Sequence, residues 1–332
     1  DEGAATERCR PSEGQARVGV ARDRREHRRS QPAASQASPL SYVWEGRDMP
    51  TRPLRHYYGD ESLLLVADPT LADVVEPWLR HRKRFAEALE SFTDAQWQAP
   101  SRCDGWTNRD VVGHLVDVDA FWNFSVTMGR AGQPSEVLRD FDPIDTPRSL
   151  VDAMAERSTG EVFASFIANG DALRDTITSL SDHEWGSICE SPIGHVEVRV
   201  LLAHALWDSW LHERDILTGL DLVPSCELDE LAVATWYSLF FGAAQGGLVD
   251  DPHPVAEGAA SSFTAQVRFD GLEVLSIEVT DRLYLTRADE GTPAGDPTAF
   301  VEAFTGRSSP FPPTGGLDPD LVDQLARARQ IL

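Results

Sequence analysis

The chain of 332 residues exceeds an ordinary single domain, and 41% hydrophobic residues supply enough apolar material for substantial cores. Its formal net charge of −24 repels phosphate backbones and anionic headgroups, which argues against nucleic-acid and membrane-surface binding. The sequence has no run of membrane-spanning length and no apolar stretch of signal-peptide type. Cys9, Cys103, Cys189 and Cys226 are too scattered for a redox pair or a zinc ribbon, so a soluble, cytoplasmic protein in a reducing setting is expected.

Residues 1–60 hold nine acidic and eleven basic side chains with little apolar periodicity. The acidic excess therefore lies in the remainder, and 1–66 reads as a disordered extension. From Asp68 onward, Leu71, Val74, Trp78, Phe85 and Leu89 recur at helical spacing, with Pro77 as a kink point. A short turn or helix starts at Thr93, and 100–106 is a loop. Thr107 with Asp110 three residues on forms a variant capping box for a helix ending near Gly129. After a loop over 130–146, a third helical run spans 147–180 with a break at Asn169-Gly170, then a turn covers Glu190 to His195. A fourth helix runs from about Val196 to Leu217 and stops at Gly219. Past Pro224, one more helix over Leu228 to Phe241 leads into alternating strands. These are Thr264 to Phe269, a turn at Asp270-Gly271, Leu272 to Val279 and Arg282 to Arg287, followed by helices at Pro297 to Phe304 and Pro319 to Ile331. The expected fold is mainly α: a four-helix bundle over 67–222 followed by a small α+β domain over 223–332.

Chemistry concentrates on two of these helices. Asp208 and His212 are four residues apart, so both project from one helical face, among Leu206, Trp207, Trp210 and Leu211. A carboxylate buried there needs a cationic partner. His114 lies in an apolar stretch of the second helix. If the two helices pack together, His114, Asp208 and His212 offer three ligands with a fourth position open, the layout of a catalytic zinc site, with the side-chain tips within about 4 Å of one another. The plainer readings are a hydrogen-bonded core histidine and a helical ion pair, and taken singly they lead. His204, one turn before Asp208, is an alternative third ligand. Asp215 is placed to accept the ring proton of His212. Cys103 reads as a small buried loop residue with no basic partner, and Arg109 and Arg214 as surface charge.

The run from Cys103-Asp-Gly-Trp-Thr through Arg109-Asp-Val-Val to His114 resembles the start of the mycothiol-dependent maleylpyruvate isomerase family, one of the DinB-like metal-binding bundles. Trp207-Asp208 with His212 and Asp215 is similar to that family's second motif, where Glu usually stands in place of Asp208. Val267 to Arg307 resembles the loosely sterol-carrier-like C-terminal domain of such proteins. The likeness spans about 70–310. It implies a DinB-like four-helix bundle holding zinc, or another divalent metal, through His114, Asp208 and His212. It also implies use of mycothiol or a similar thiol for isomerisation or S-transfer on a small electrophile. The alternative is a non-catalytic, metal-dependent binding or regulatory protein of the same fold. Asp is one methylene shorter than Glu, a departure that bears on the particular isomerase activity more than on metal binding.

Overall fold

The computed structural model describes residues 54–59, 64–66, 73–246, 262–312 and 316–331. Most of the expected N-terminal extension, 1–53, lies outside the described residues. Four long helices form the bundle: α1 (Val75–Glu90), α3 (Asn108–Arg130), α5 (Thr159–Thr178) and α6 (Val198–Gly219), with short α2 (Asp94–Trp97) between the first two. Helix α3 packs on α5 and α6, and α1 on the same two. The Thr107 cap forms as the sequence predicts: the Asp110 N–H donates to Thr107 Oγ1 and the Thr107 N–H to Asp110 Oδ2.

Several sequence expectations need correction. The run over 147–180 is two helices, α4 (Asp145–Ala153) and α5, and the break falls at 154–158. The cause is remote in sequence. Arg109, buried on α3, donates to the carbonyls of Met154 and Arg157, so backbone acceptors beyond α4 are satisfied from another helix. Ser158 and Glu161 then restart the chain with a capping box. Asn169-Gly170 sits inside α5, where a Cβ on Gly170 would lie 3.0 Å from an Arg82 nitrogen. Pro77 does not kink α1 because it occupies the first turn, where its missing N–H has no partner to lose.

The segment read as a turn at Glu190 to His195 is a β-hairpin, β2 (Ile188–Ser191) with β3 (Gly194–Glu197). Tyr57 pairs with it: its N–H donates to the Ile193 carbonyl and its carbonyl accepts from the His195 N–H. Gly194 has φ +102, and a Cβ there would come within 2.2 Å of the Tyr57 backbone. Residues 54–59 are therefore built into the fold, and strand β1 (Leu64–Val66) also pairs within it, so an extension drawn to 66 runs too far.

Helix α7 (Leu228–Gly246) packs on α6. Strands β4 (Phe263–Phe269), β5 (Val274–Val279), β6 (Leu283–Arg287) and β7 (Thr292–Gly295) join β1 in one sheet, ordered β1-β6-β5-β4-β7. Strand β4 alternates strictly, burying Phe263, Ala265, Val267 and Phe269. Helices α8 (Pro297–Phe304) and α9 (Pro319–Ala328) pack with α7, and Gly271 (φ +75) makes the expected turn. One apolar core runs from Trp78 and Trp122 through α6 and α7 to Phe269 and Phe304. Each fully buried Phe or Leu in it contributes roughly 1.5–3 kcal/mol. Because α6 lies between the other bundle helices and α7, nearly every residue from Val198 to Leu217 is buried, polar ones included. No helix among the described residues is long and apolar enough to cross a membrane.

Candidate functional site

Packing α3 against α6 brings His114, Asp208 and His212 together. One donor atom from each lies within 4.8 Å of the others. His114 Nε2 is 3.7 Å from Asp208 Oδ2, and His212 Nε2 is 3.5 Å from Asp208 Oδ1. The two imidazoles meet edge to face with centroids 5.0 Å apart. These are long separations for hydrogen bonds. They are close to the roughly 3.3–3.6 Å between two ligands held at 2.0–2.2 Å on one tetrahedral ion. Asp208 Oδ2 is buried with no hydrogen-bond partner, as is His114 Nδ1. Burial alone would neutralise Asp208, yet His212, His114 and His204 hold its carboxyl well below the usual range. Against its own burial, His212 is pushed up to about 10 by Cys103, Asp208 and Asp215.

Asp215 lies 3.0 Å from His212 Nδ1, the contact expected for a group that fixes the ring's orientation. Asp215 is itself clamped: Arg307, beyond α8, donates to its Oδ1 from Nε and to its Oδ2 from Nη2. That contact joins residues 92 positions apart, and nothing in the local pattern around Arg307 announces it. Cys103 corrects another expectation. Its thiol is only partly covered and has a basic neighbour, with Sγ 3.6 Å from His212 Nδ1 and 3.2 Å from Asp215 Oδ2. The Arg102 N–H bonds the Asp215 carbonyl, which docks the loop before α3 against α6. Arg109 and Arg214 are not surface charges either. Both are 8% exposed, Arg109 bonding the α4–α5 link and Arg214 stacking on Trp210 at 4.0 Å.

The three donors open into a cavity of about 490 Å³. Its walls are mainly apolar, with the rings of Trp106, Phe121, Trp122, Trp207 and Phe241 beside aliphatic and proline side chains, while Thr305 and Arg307 come from the far end of the chain. Leu138 and Phe141, from the loop after α3, line it too. Glu190 of β2 anchors that loop, accepting the N–H groups of Val137 and Leu138 and the Tyr58 hydroxyl. His204 also lines the cavity but lies outside the three-donor set. Its ring stacks on Tyr237 at 4.9 Å and lies 5.0 Å from Trp122, so the predicted alternative ligand faces aromatic rings instead. Burial pulls its pKa down to about 4, and its Nδ1 has no hydrogen-bond partner.

Residues 78–217 match the Mycothiol maleylpyruvate isomerase N-terminal domain, a span that contains all three donors. Among solved structures, the mycothiol-dependent maleylpyruvate isomerase is similar at 12% identity and a TM-score of 0.49, covering 74% of this chain and 91% of that one. A mutant of that enzyme is similar at 11% identity and 0.48 over the same shares. YfiT from Bacillus subtilis, described as "a probable metal-dependent hydrolase with an unusual four-helix bundle topology", is similar at 16% identity and 0.36, covering 51% of this chain and 95% of its own. No curated protein matches the sequence.

Proposed function

We propose that this protein, similar over residues 78–217 to the mycothiol maleylpyruvate isomerase N-terminal domain, binds a divalent metal, with zinc the natural choice, through His114, Asp208 and His212. It would work with a low-molecular-weight thiol such as mycothiol, in isomerisation or S-transfer on a small electrophile. The bundle over 67–222 carries the donors, and the 223–332 domain contributes Thr305 and Arg307 to the cavity wall. The observation that carries the reading is Asp208. Its buried Oδ2 lacks any hydrogen bond, while imidazole nitrogens stand 3.5 and 3.7 Å from its two oxygens. A carboxylate in that state needs a cation: the charged His212 serves in metal-free protein, and a divalent ion takes its place while also filling the orphaned oxygen. Two imidazoles and one carboxylate are a donor set that zinc accepts, and the cavity side remains open for another ligand.

When bound, such an ion supplies Lewis acidity that favours the thiolate form of a sulfur ligand at neutral pH. The chain's own residues do the remainder. Asp215 accepts from His212 Nδ1 and so turns Nε2 toward the donor set, and Arg307 keeps Asp215 ionised and in place. The Trp106, Trp122 and Trp207 walls exclude water and hold an electrophilic carbon beside the thiol. Addition of the thiolate to a conjugated double bond, rotation about the resulting single bond and elimination of the thiolate give isomerisation; displacement of a leaving group gives S-transfer.

The test is thiol-dependent consumption of a panel of electrophiles by metal-loaded and metal-stripped protein. Turnover that needs both thiol and metal, and returns when zinc is added back, is the expected result. Bound metal with no turnover of any panel member would favour a binding or regulatory role and overturn the enzymatic reading.

A further inference from the structure

The walls of the cavity are not held alike. Trp122, Trp207, Leu211 and Phe241 belong to the apolar core, and the loop around Trp106 is docked on α6 through the Arg102 N–H. Residues 141–153, which lead into α4 and include it, supply Phe141, Pro143, Thr146, Pro147 and Leu150 to the same cavity. In this stretch only Val151 is buried, and it is part of neither of the two core clusters. Its hydrogen bonds are also its own. The Asp142 carboxylate accepts the N–H groups of Ile144 and Asp145, and the Asp142 N–H donates to Thr146 Oγ1. Among the described residues, no hydrogen bond or ion pair joins 141–153 to anything outside 138–155.

Anchors stand at both ends of the stretch. Buried Glu190 accepts the N–H groups of Val137 and Leu138, and the Ser135 carbonyl lies 3.0 Å from His195 Nε2. At the other end, buried Arg109 donates to the carbonyls of Met154 and Arg157. A helix of 9 residues is marginal without tertiary packing, so α4 opens far more readily than the long helices around it. Leu150 marks the mouth, since this large apolar side chain lines the cavity and is still 42% exposed.

We infer that residues 141–153 are a lid over the cavity, hinged at the Glu190 and Arg109 anchors. The lid swings out as a unit to admit a ligand and closes its apolar underside over it. It governs access alone, whether or not a metal fills the donor set.

The experiment couples opening to access in the full-length protein at neutral pH. Hydrogen exchange followed by mass spectrometry reads the opening. Access is read in a Val118→Cys background, which places a thiol on the α3 wall of the cavity, as the rate of labelling by pyrene maleimide. Peptide masses separate position 118 from the native cysteines. The α4 amides are expected to exchange at least about a hundredfold faster than those in the middle of α3 and α5. Val151→Ala removes the lid's one buried contact, and Asp142→Ala removes its internal cap. Each should speed α4 exchange and labelling at position 118 by the same factor, about tenfold for Val151→Ala, with α3 and α5 unchanged. Asp142 is exposed, so its variant decides the matter should Val151→Ala not fold. Wild-type α4 amides as slow as those of α3 and α5 would overturn the lid. Faster α4 exchange with unchanged labelling would overturn it too, as a loose segment that gates nothing. So would exchange that rises equally in α3 and α5, because the opening would then not be confined to 141–153.

Discussion

Helix α6 carries two polar clusters on adjoining faces, and only one of them is incomplete. On the side facing α1 and α7, Glu213 and Glu230 are bridged by Arg84, which bonds both carboxylates, with Arg80 adding a further bond to Glu230. His81 completes the group: its Nε2 is 2.9 Å from Ser209 Oγ, and its Nδ1 lies near Arg84 and Glu213. No polar side-chain atom of His81, Arg84, Glu213 or Glu230 is buried without a partner. On the cavity side, Asp208 and His212 sit one position from Ser209 and Glu213, yet Asp208 Oδ2 and His114 Nδ1 have none. The protonation tendencies diverge likewise. Burial and the neighbouring Arg84 and Arg82 push His81 well below its ordinary pKa, whereas His212 is pushed up to about 10. Histidine with carboxylate on a helix is thus no signature by itself. The distinction is whether the cluster closes its own hydrogen bonds or faces a cavity with an acceptor left over.

Substitutions on the two faces should separate these roles. The largest effect on stability is expected from Arg84→Ala, which leaves Glu213 and Glu230 buried without their shared cation. A loss of about 3–5 kcal/mol in urea unfolding is predicted, with the folded fraction keeping its zinc. Asp208→Ala should do the reverse. If a binding free energy on the order of 10 kcal/mol is shared among three side chains, zinc affinity falls by about a hundredfold or more while the metal-free fold persists. Competition with a chelator of known affinity measures this. Asp215→Asn keeps the size of the side chain but weakens its hold on His212, and a loss of about 10–100-fold in zinc affinity is expected. If Arg84→Ala lost zinc while Asp208→Ala kept it, the division between the faces would collapse.

The finest distinction is in protons. His212 has a folded pKa raised to about 10, above its unfolded value near 6.5. In metal-free protein its charged form therefore contributes stability that is complete below about pH 6.5 and is lost as pH climbs through about 10. Ligation through Nε2 replaces that proton, so zinc uptake at pH 7 should release it, and apparent affinity should rise with pH. Proton release measured in buffers of different ionisation enthalpy checks this. His81, held neutral by burial, should contribute none.

The local signals that were legible in the sequence are those resting on neighbours within a turn or two. The Thr107–Asp110 cap, the Asp208–His212 spacing and the alternation of β4 each depend on residues no more than a few positions apart. The break after α4 was not legible, because it depends on Arg109 donating to Met154 from 45 residues away. Arg307 was missed for the same reason, since its partner Asp215 is on another element. Cys103 was misread because His212 Nδ1 approaches it only through the docking of the 101–106 loop on α6. His204 stands one turn from Asp208, as the spacing requires, but the direction of its ring is set by Tyr237 on α7.

The central claim is that the incomplete cluster is completed by a metal. Its most direct test is elemental analysis of the full-length protein, purified without a metal-affinity tag, alongside His212→Ala. The account predicts close to one equivalent of zinc or a comparable divalent ion per wild-type chain, directly or after zinc is added and the excess removed, and none in a folded His212→Ala. Wild-type protein holding less than about a tenth of an equivalent, unrestored by added zinc, would contradict it.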